Sequence, residues 1–87
     1  MPWHVYILEC EDKAFYTGMT NDLERRFKEH CSKTSHYTGY NPPTRIAYKE
    51  VFEFKSNAAK RETQIKGWTR KKKLALIQGD LALLKKL

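Results

Sequence analysis

Residues 3–20, WHVYILECEDKAFYTGMT, predict a β-hairpin around which the rest of the chain is built. The first part, Trp3–Cys10, is rich in β-branched and aromatic side chains, which is typical of a buried strand. Three polar residues interrupt this pattern, and a second strand is predicted over Ala14–Gly18. Because three residues are a usual hairpin loop length, we expect the two strands to pair antiparallel.

The expected register sets the positions of two tyrosines. Pairing of Cys10 with Ala14 across the short loop places Tyr6 opposite Gly18. Tyr6 and Tyr16 are then diagonal neighbours on one face of the sheet, within side-chain reach.

A helix and a third strand are predicted after the hairpin. Asn21 can cap a helix that runs to about Cys31, and Glu24 lies three residues on, at the spacing of a capping box. Residues 32–43 are rich in Ser, Thr, Gly, Asn and Pro and predict a loop. The following segment, Thr44–Phe54, is predicted to be a strand.

The remainder of the chain predicts helices. Ser56 or Asn57 caps one that runs to Lys66, where Gly67 ends it, and Thr69 caps a second over Arg70–Gln78, which Gly79 ends. Asp80 begins a short last helix, and the apolar positions Leu74, Ile77, Leu81 and Leu84 are expected to pack. The order β-β-α-β-α-α predicts an α+β fold: one domain over residues 1–87, with a small three-stranded, mostly antiparallel sheet and flanking helices.

Charge is distributed unevenly along the chain. The 87 residues carry 17 Lys and Arg against 10 Asp and Glu, a net charge of +7. Residues 1–54 have seven basic and eight acidic side chains (net −1), whereas residues 55–87 have ten and two (net +8). A strongly basic half predicts a polyanionic partner, either a nucleic acid or an anionic membrane.

Several classes of protein are excluded by composition. No apolar run approaches the ~20 residues that a membrane span needs, and the N-terminus lacks the features of a signal peptide. Two cysteines are too few for a disulfide-stapled secreted domain, so we expect reduced thiols and a cytoplasmic location. The histidines and cysteines have no spacing typical of zinc sites, which makes a structural zinc unexpected.

Two charged side chains are predicted on helix faces that should be buried. The inward stripe of the first helix contains Arg26 and His30 beside Leu23 and Phe27. Glu62 is expected on the inner face of the second helix, beside alanines and an isoleucine. Buried charges are costly unless they are paired. Arg26 and Glu62 therefore predict either a structural ion pair or a site in which arginine binds phosphate and the carboxylate binds a metal.

These positions carry a resemblance to a known family. His4-Val5-Tyr6, followed ten residues later by Tyr16-Thr17-Gly18 and then by Arg26, His30 and Glu62, resembles the motif series of the GIY-YIG nuclease domain. The similarity covers nearly the whole chain and is greatest to the small bacterial single-domain members. His4 departs from the usual glycine, and Met19 stands where some members carry a lysine.

The resemblance implies a metal-dependent endonuclease that hydrolyses phosphodiester bonds in DNA. Tyr6 and Tyr16 would line the cleft, and Gly18 would let substrate approach closely. Arg26 would bind the scissile phosphate, and Glu62 would bind one Mg²⁺ or Mn²⁺ ion. On chemical grounds either Tyr16 or His30 could position the attacking water.

The basic half of the chain predicts the surface that contacts nucleic acid. Arg70, Lys71, Lys72 and Lys73 begin the third helix and are expected to contact phosphates, although such runs also occur on merely solvated faces. Trp68, just before them, is expected in the core, and Tyr37 and Tyr40 could stack on unpaired bases. The alternative function is a binding module without cleavage that uses residues 55–87. Membrane binding is disfavoured because these helices lack an apolar aromatic face. A dimer or a protein partner is open.

Overall fold

The structure, a computed structural model, describes residues 2–31 and 42–86. Its three strands are β1 (Trp3–Cys10), β2 (Phe15–Thr20) and β3 (Pro43–Phe52). Its helices are α1 (Leu23–Cys31), α2 (Lys55–Lys66), α3 (Arg70–Gln78) and α4 (Leu81–Lys86). The strand order is β2-β1-β3 with both neighbouring pairs antiparallel, which confirms the predicted α+β fold. None of the helices in the described ranges has the length and apolar character needed to span a membrane.

The hairpin has the predicted register. Tyr6 lies opposite Gly18, and the Cys10 N–H donates to the Ala14 carbonyl at 2.9 Å. Lys13 takes up the left-handed turn of the loop with φ 73°. The second strand continues to Thr20, two residues beyond the predicted end.

Side chains of β1 alternate between two covered faces of the sheet. Val5 and Ile7 on one face pack against Ala58 and Ile65 of α2 and Leu76 of α3 in the hydrophobic core. The opposite face carries Tyr6 and Tyr16, whose rings contact His30 of α1. The sheet is therefore the middle layer, with α1 on one side and α2 and α3 on the other.

Two predicted helix caps are wrong. The side chain that accepts a hydrogen bond at the start of α1 is Asp22, whose Oδ1 accepts from the Arg25 N–H at 3.2 Å, and not Asn21. The second helix begins at Lys55 directly after Phe54, which makes no side-chain cap, so Ser56 and Asn57 lie inside its first turn. The third strand ends at Phe52 because the chain turns there into this early helix.

The predicted ends of α3 are confirmed. The Thr69 side chain accepts a hydrogen bond from the Lys72 N–H, and Gly79 ends the helix in the left-handed conformation at φ 72°. The predicted apolar stripe is only partly right. Ala75 and Leu76 are buried, whereas Leu74 and Leu81 are exposed. Residues 74–77 are all apolar, so the sequence does not specify which side of this helix faces the core.

Candidate active site

Tyr6 lies across the second strand of the hairpin and is almost completely buried, with 1% of its surface exposed. Its ring covers Gly18. A Cβ atom on Gly18 would lie 2.5 Å from the Tyr6 Oη and 2.7 Å from its Cζ, far inside van der Waals contact. Gly18 is thus required by the phenol of Tyr6, a different reason from the approach of substrate expected from the sequence.

His30 holds the two tyrosines together from the helix above them. Its ring is fully buried, and its Nε2 lies 3.5 Å from the Tyr6 Oη. The edge of the same ring meets Tyr16, with centroids 4.9 Å apart. The two tyrosine rings are tilted, with centroids 6.5 Å apart. The diagonal tyrosine pair predicted from the hairpin register is confirmed.

Arg26 lies one turn before His30 on α1 and links the cluster to solvent. Its guanidinium lies near enough to the Tyr6 phenol to influence the pKa of that group, and its Nη1 lies 4.0 Å from the Glu29 Oε2. About two-fifths of the side chain, 41%, is exposed. The neighbouring Tyr6 phenol raises the pKa of Arg26 above its usual value. The guanidinium is therefore a fixed positive charge with one side open to a ligand.

The buried groups of the cluster are neutral at physiological pH. Burial raises the pKa of Tyr6 above its ordinary value, although the neighbouring guanidinium of Arg26 acts in the opposite direction. Burial also lowers the pKa of His30, and the positive charge of Arg26 adds to this. Tyr6 is consequently a phenol and His30 an uncharged imidazole.

Glu62 lies on α2, which packs on the sheet face opposite α1, and it is close enough to Tyr6 for its charge to act on the phenol. Its negative charge contributes to the raised pKa of Tyr6, and its side chain is 20% exposed. The Glu62 Oε1 lies 3.8 Å from the Lys66 Nζ, one turn further along α2. Among the residues that the structure describes, Arg26 therefore pairs with Glu29 and Glu62 with Lys66. The alternative of a structural ion pair between Arg26 and Glu62 is wrong.

The donor set at Glu62 fits one kind of cation. Within residues 2–31 and 42–86, no three His, Cys, Asp or Glu side chains come together in a cluster that could hold a metal. Mg²⁺ usually binds to proteins through one or two carboxylates and takes its other ligands from water and phosphate. A single, partly exposed carboxylate fits a cation held this way, provided that Lys66 moves aside.

A depression lies beside Tyr16 at β2, on the side of α2 and α3. The depression has a volume of about 300 Å³ and is lined by Phe15, Tyr16, Thr17, Lys66 and Lys73. Tyr16 itself is half-buried. Sequence reasoning missed Lys66. The signal available for it is its position four residues after Glu62, on the same side of the helix.

The basic run at the start of α3 is divided among several environments. Arg70 lies 4.4 Å from the centre of the Phe15 ring and donates to the carbonyl of Lys13. Lys72 lies 4.5 Å from the centre of the Trp68 ring, and Lys73 lines the depression beside Tyr16. The predicted core position of Trp68 is confirmed, since it packs against the core residues. Lys71 is exposed. The loop residues Tyr37 and Tyr40 lie outside the described residues.

Met19 has a structural position that explains its apolar character. It lies on β2 opposite Val5 and packs against the core between the sheet and α2. The side chain therefore contributes to packing and not to the tyrosine cluster.

Comparison with known proteins agrees with this architecture. The model of the GIY-YIG catalytic domain matches residues 2–75. A UPF0213 protein of Xanthomonas axonopodis pv. citri is 40% identical over 80 residues, which are 91% of this chain and 78% of that protein. The solution NMR structure of a UPF0213 protein from Bacillus halodurans is 41% identical, with a TM-score of 0.59 over 90% of this chain and 84% of its own.

A second solution NMR structure, of a protein from E. faecalis, is similar with a TM-score of 0.65 and 32% identity over 94% of this chain and 88% of its own. These similarities extend over the hairpin, α1, β3 and α2, which together carry the tyrosine, histidine, arginine and glutamate positions. The chain therefore belongs to the GIY-YIG family of nucleases, together with the UPF0213 proteins that it resembles.

Proposed function

We propose that this protein is a metal-dependent endonuclease that hydrolyses phosphodiester bonds in DNA. The observation that supports the proposal is the contact of Tyr6, Tyr16 and His30 on one face of the sheet, with Arg26 beside Tyr6 and Glu62 close enough for its charge to act on the same phenol. In the reaction, a water oxygen bonds to phosphorus and the bond from phosphorus to the 3′ oxygen breaks. The products are a 5′-phosphate and a 3′-hydroxyl.

Arg26 is the group that binds the scissile phosphate. Its guanidinium lies beside Tyr6, is partly exposed and keeps its charge at all relevant pH values. A planar fork of N–H donors matches two phosphate oxygens. Because Arg26 lies beside the buried Tyr6 phenol, the charge that develops in the transition state meets a cation that is already in place.

Tyr16 positions the attacking water. Sequence alone leaves Tyr16 and His30 as alternatives, and burial favours the tyrosine. His30 is fully enclosed between the two tyrosine rings and the helix, so no water reaches it without disruption of the cluster. Tyr16 borders the open depression. We assign His30 the role of holding Tyr6 and Tyr16 in place.

Glu62 would hold the divalent cation, Mg²⁺ or Mn²⁺. Such an ion, when bound, supplies positive charge for the phosphate and for the leaving oxygen. The carboxylate lies on α2, close enough to Tyr6 for its charge to act on the phenol, and Lys66 neutralises it when no other cation does.

Binding without cleavage is the second candidate function. The net charge of +8 over residues 55–87 favours a nucleic-acid-binding module of this kind. Such a module binds nucleic acid equally well with and without metal, and Glu62→Gln leaves it unchanged.

A cleavage assay separates the two functions. Labelled duplex, flap, fork and single-stranded DNA are incubated with the protein in Mg²⁺ or Mn²⁺, and the same set is made in RNA. We expect product only with metal, and a loss of rate of about 100-fold or more in Glu62→Gln.

Glu53→Gln serves as the matched control, because Glu53 is an exposed carboxylate between β3 and α2. This control should cleave at the wild-type rate. Full activity of Glu62→Gln, or no metal-dependent product from any substrate, would overturn the proposal.

A further inference from the structure

Two lysines from different helices meet at the depression beside Tyr16. Lys66 is the last residue of α2, and Lys73 lies in the first half of α3. Both line the depression of about 300 Å³ together with Phe15, Tyr16 and Thr17. Lys66 reaches it from the end of α2. Lys73 reaches it from the beginning of α3, where Arg70 contacts Phe15 of β2.

Lys73 carries an uncompensated charge. Among the described residues it has no carboxylate within ion-pair distance, and its positive neighbour is Lys66, whose own partner is Glu62. Burial lowers the pKa of Lys73, and the charge of Lys66 acts in the same direction. Two cations brought together and partly removed from water are unfavourable in the protein alone, and an anion between them relieves the repulsion.

The floor of the depression offers a further polar group. Thr17 lines it, and the Thr17 Oγ1 is buried with no hydrogen-bond partner in the described part of the chain. A buried hydroxyl without a partner is uncommon in folded proteins. Thr17 is therefore a polar residue of the depression whose hydroxyl lacks a partner among the described residues.

We propose that Lys66 and Lys73 form a second phosphate subsite, which binds a backbone phosphate of the nucleic acid next to the phosphate held by Arg26. This inference rests on the proposed function, since it assumes that the substrate lies at Tyr16. A phosphodiester fits the depression because each phosphate carries one negative charge and exposed oxygens, and both lysines donate to oxygens as compact point charges.

The subsite defines a path for the strand that is cut. Arg26 lies on the α1 side of the sheet, Lys66 and Lys73 lie on the side of α2 and α3, and Tyr16 lies between them on the edge strand. A nucleic-acid strand that contacts both subsites crosses β2 and does not run along this β-strand. Tyr16 then faces the linkage between the two bound phosphates.

Binding measurements in EDTA test the subsite apart from catalysis. The anisotropy of a short labelled duplex is followed over a series of salt concentrations for wild type, Lys66→Gln, Lys73→Gln and the double variant. Each single substitution should weaken binding up to about tenfold. The double variant should lower the slope of log K against log salt by about 1, which corresponds to one phosphate contact.

Two controls fix the interpretation. Lys60→Gln removes the same charge from the exposed surface of α2, away from the depression, and should change affinity less than about twofold. The double variant Lys66→Arg/Lys73→Arg keeps both charges and should bind like wild type, which keeps the test valid if the glutamine variants fail to fold.

The outcomes are distinct from those of the cleavage assay. Affinity of the double glutamine variant equal to that of Lys60→Gln, a loss of affinity with an unchanged salt slope, or a loss in the folded arginine variant would each overturn the subsite. A wild-type protein that shows the expected binding pattern but no metal-dependent product would leave the subsite standing and overturn the nuclease proposal.

Discussion

The two sides of the edge strand β2 differ in whether their polar side chains are buried and paired or left open to solvent. Under α1, Tyr6 and His30 are enclosed and hydrogen-bonded to each other, and Arg26 completes the cluster. On the α2 and α3 side, Lys66 and Lys73 surround an open depression, and Lys73 has no acid of its own in the described chain. The groups under α1 contact one another, whereas the two lysines lack a full complement of negative charge and would be stabilised by a bound anion.

This difference indicates that the cluster under α1 positions side chains and that the lysines at the depression bind a ligand. Buried polar networks that are fully paired are rigid, and their members lose stability when one is removed. Cations at an open depression contribute little to folding but respond to any anion that enters. Tyr16 connects the two sides, because its ring contacts His30 on the α1 face and the residue also borders the depression.

Removal of the hydroxyl should affect mainly the cleavage rate at Tyr16 and mainly the stability at Tyr6. Tyr16→Phe should lower the cleavage rate by about 100-fold or more, since it removes the group that positions water. It should lower the free energy of unfolding less than Tyr6→Phe does, because Tyr16 is only half-buried. Tyr6→Phe should lower the free energy of unfolding by about 1 kcal/mol, because Arg26 and His30 lose their shared partner. Urea unfolding and single-turnover cleavage measure the two effects. Equal stability losses in both variants would contradict the distinction.

Gly18→Ala should destabilise the protein because the new side chain would collide with Tyr6 on the α1 face of the sheet. The new Cβ would meet the Tyr6 Oη at 2.5 Å, and the buried ring cannot move away without leaving Arg26 and His30. We expect a loss of about 1–3 kcal/mol in the free energy of unfolding.

Gly67→Ala is the matched control for Gly18→Ala. Its Cβ would have no neighbour closer than 3.6 Å, and its φ of −79° suits alanine. This substitution should be neutral or stabilising by up to about 1 kcal/mol. Thermal unfolding compares the two variants, and a Gly18→Ala protein as stable as Gly67→Ala would contradict the steric role of Gly18.

Neighbouring cations of α3 should separate into structural and binding groups. Arg70→Ala should lower the free energy of unfolding by about 1 kcal/mol, because it removes the contact with the Phe15 ring and the hydrogen bond to the Lys13 carbonyl. Lys71→Ala should leave stability unchanged and weaken binding to duplex DNA. Chemical denaturation and anisotropy test the pair. A stability loss for Lys71→Ala as large as that for Arg70→Ala would show that the helix position alone matters.

His30 should give the protein a pH-dependent stability. Its pKa in the folded state is lowered, mainly by burial, so the unfolded chain binds a proton that the native state does not. The free energy of unfolding should therefore fall as pH decreases below about 6.5, the ordinary pKa of histidine. Above that pH His30 should cause no such loss. Urea unfolding across this range, with His30→Gln for comparison, measures the effect. An unchanged difference in stability between wild type and variant at all pH values would contradict it.

The sequence predicts best where geometry is local. The hairpin loop length fixed the register and hence the placement of Tyr6, Tyr16 and Gly18, and the 3.6-residue period placed Arg26 and His30 on the inner side of α1. The start of α2 was missed because Phe54 and Lys55 carry no capping signal.

Lys66 was missed for a different reason. Its role depends on how α2 and α3 approach β2, which is a tertiary relation that neither helix encodes alone. The separate environments of Arg70, Lys72 and Lys73 were not predicted either. The helical period directs these side chains in different directions, but their contacts also depend on where Phe15 and Trp68 lie in the fold.

The unpaired outer side of β2 has a consequence for self-association. Within the described ranges no strand pairs with it, so its backbone N–H and C=O groups could accept a strand from another copy and start aggregation. Lysines flanking such a strand repel a second copy of the same basic surface while admitting a polyanion. A strand added beside β2 would therefore cover the depression next to Tyr16, whereas a strand added beyond β3 would leave the depression open.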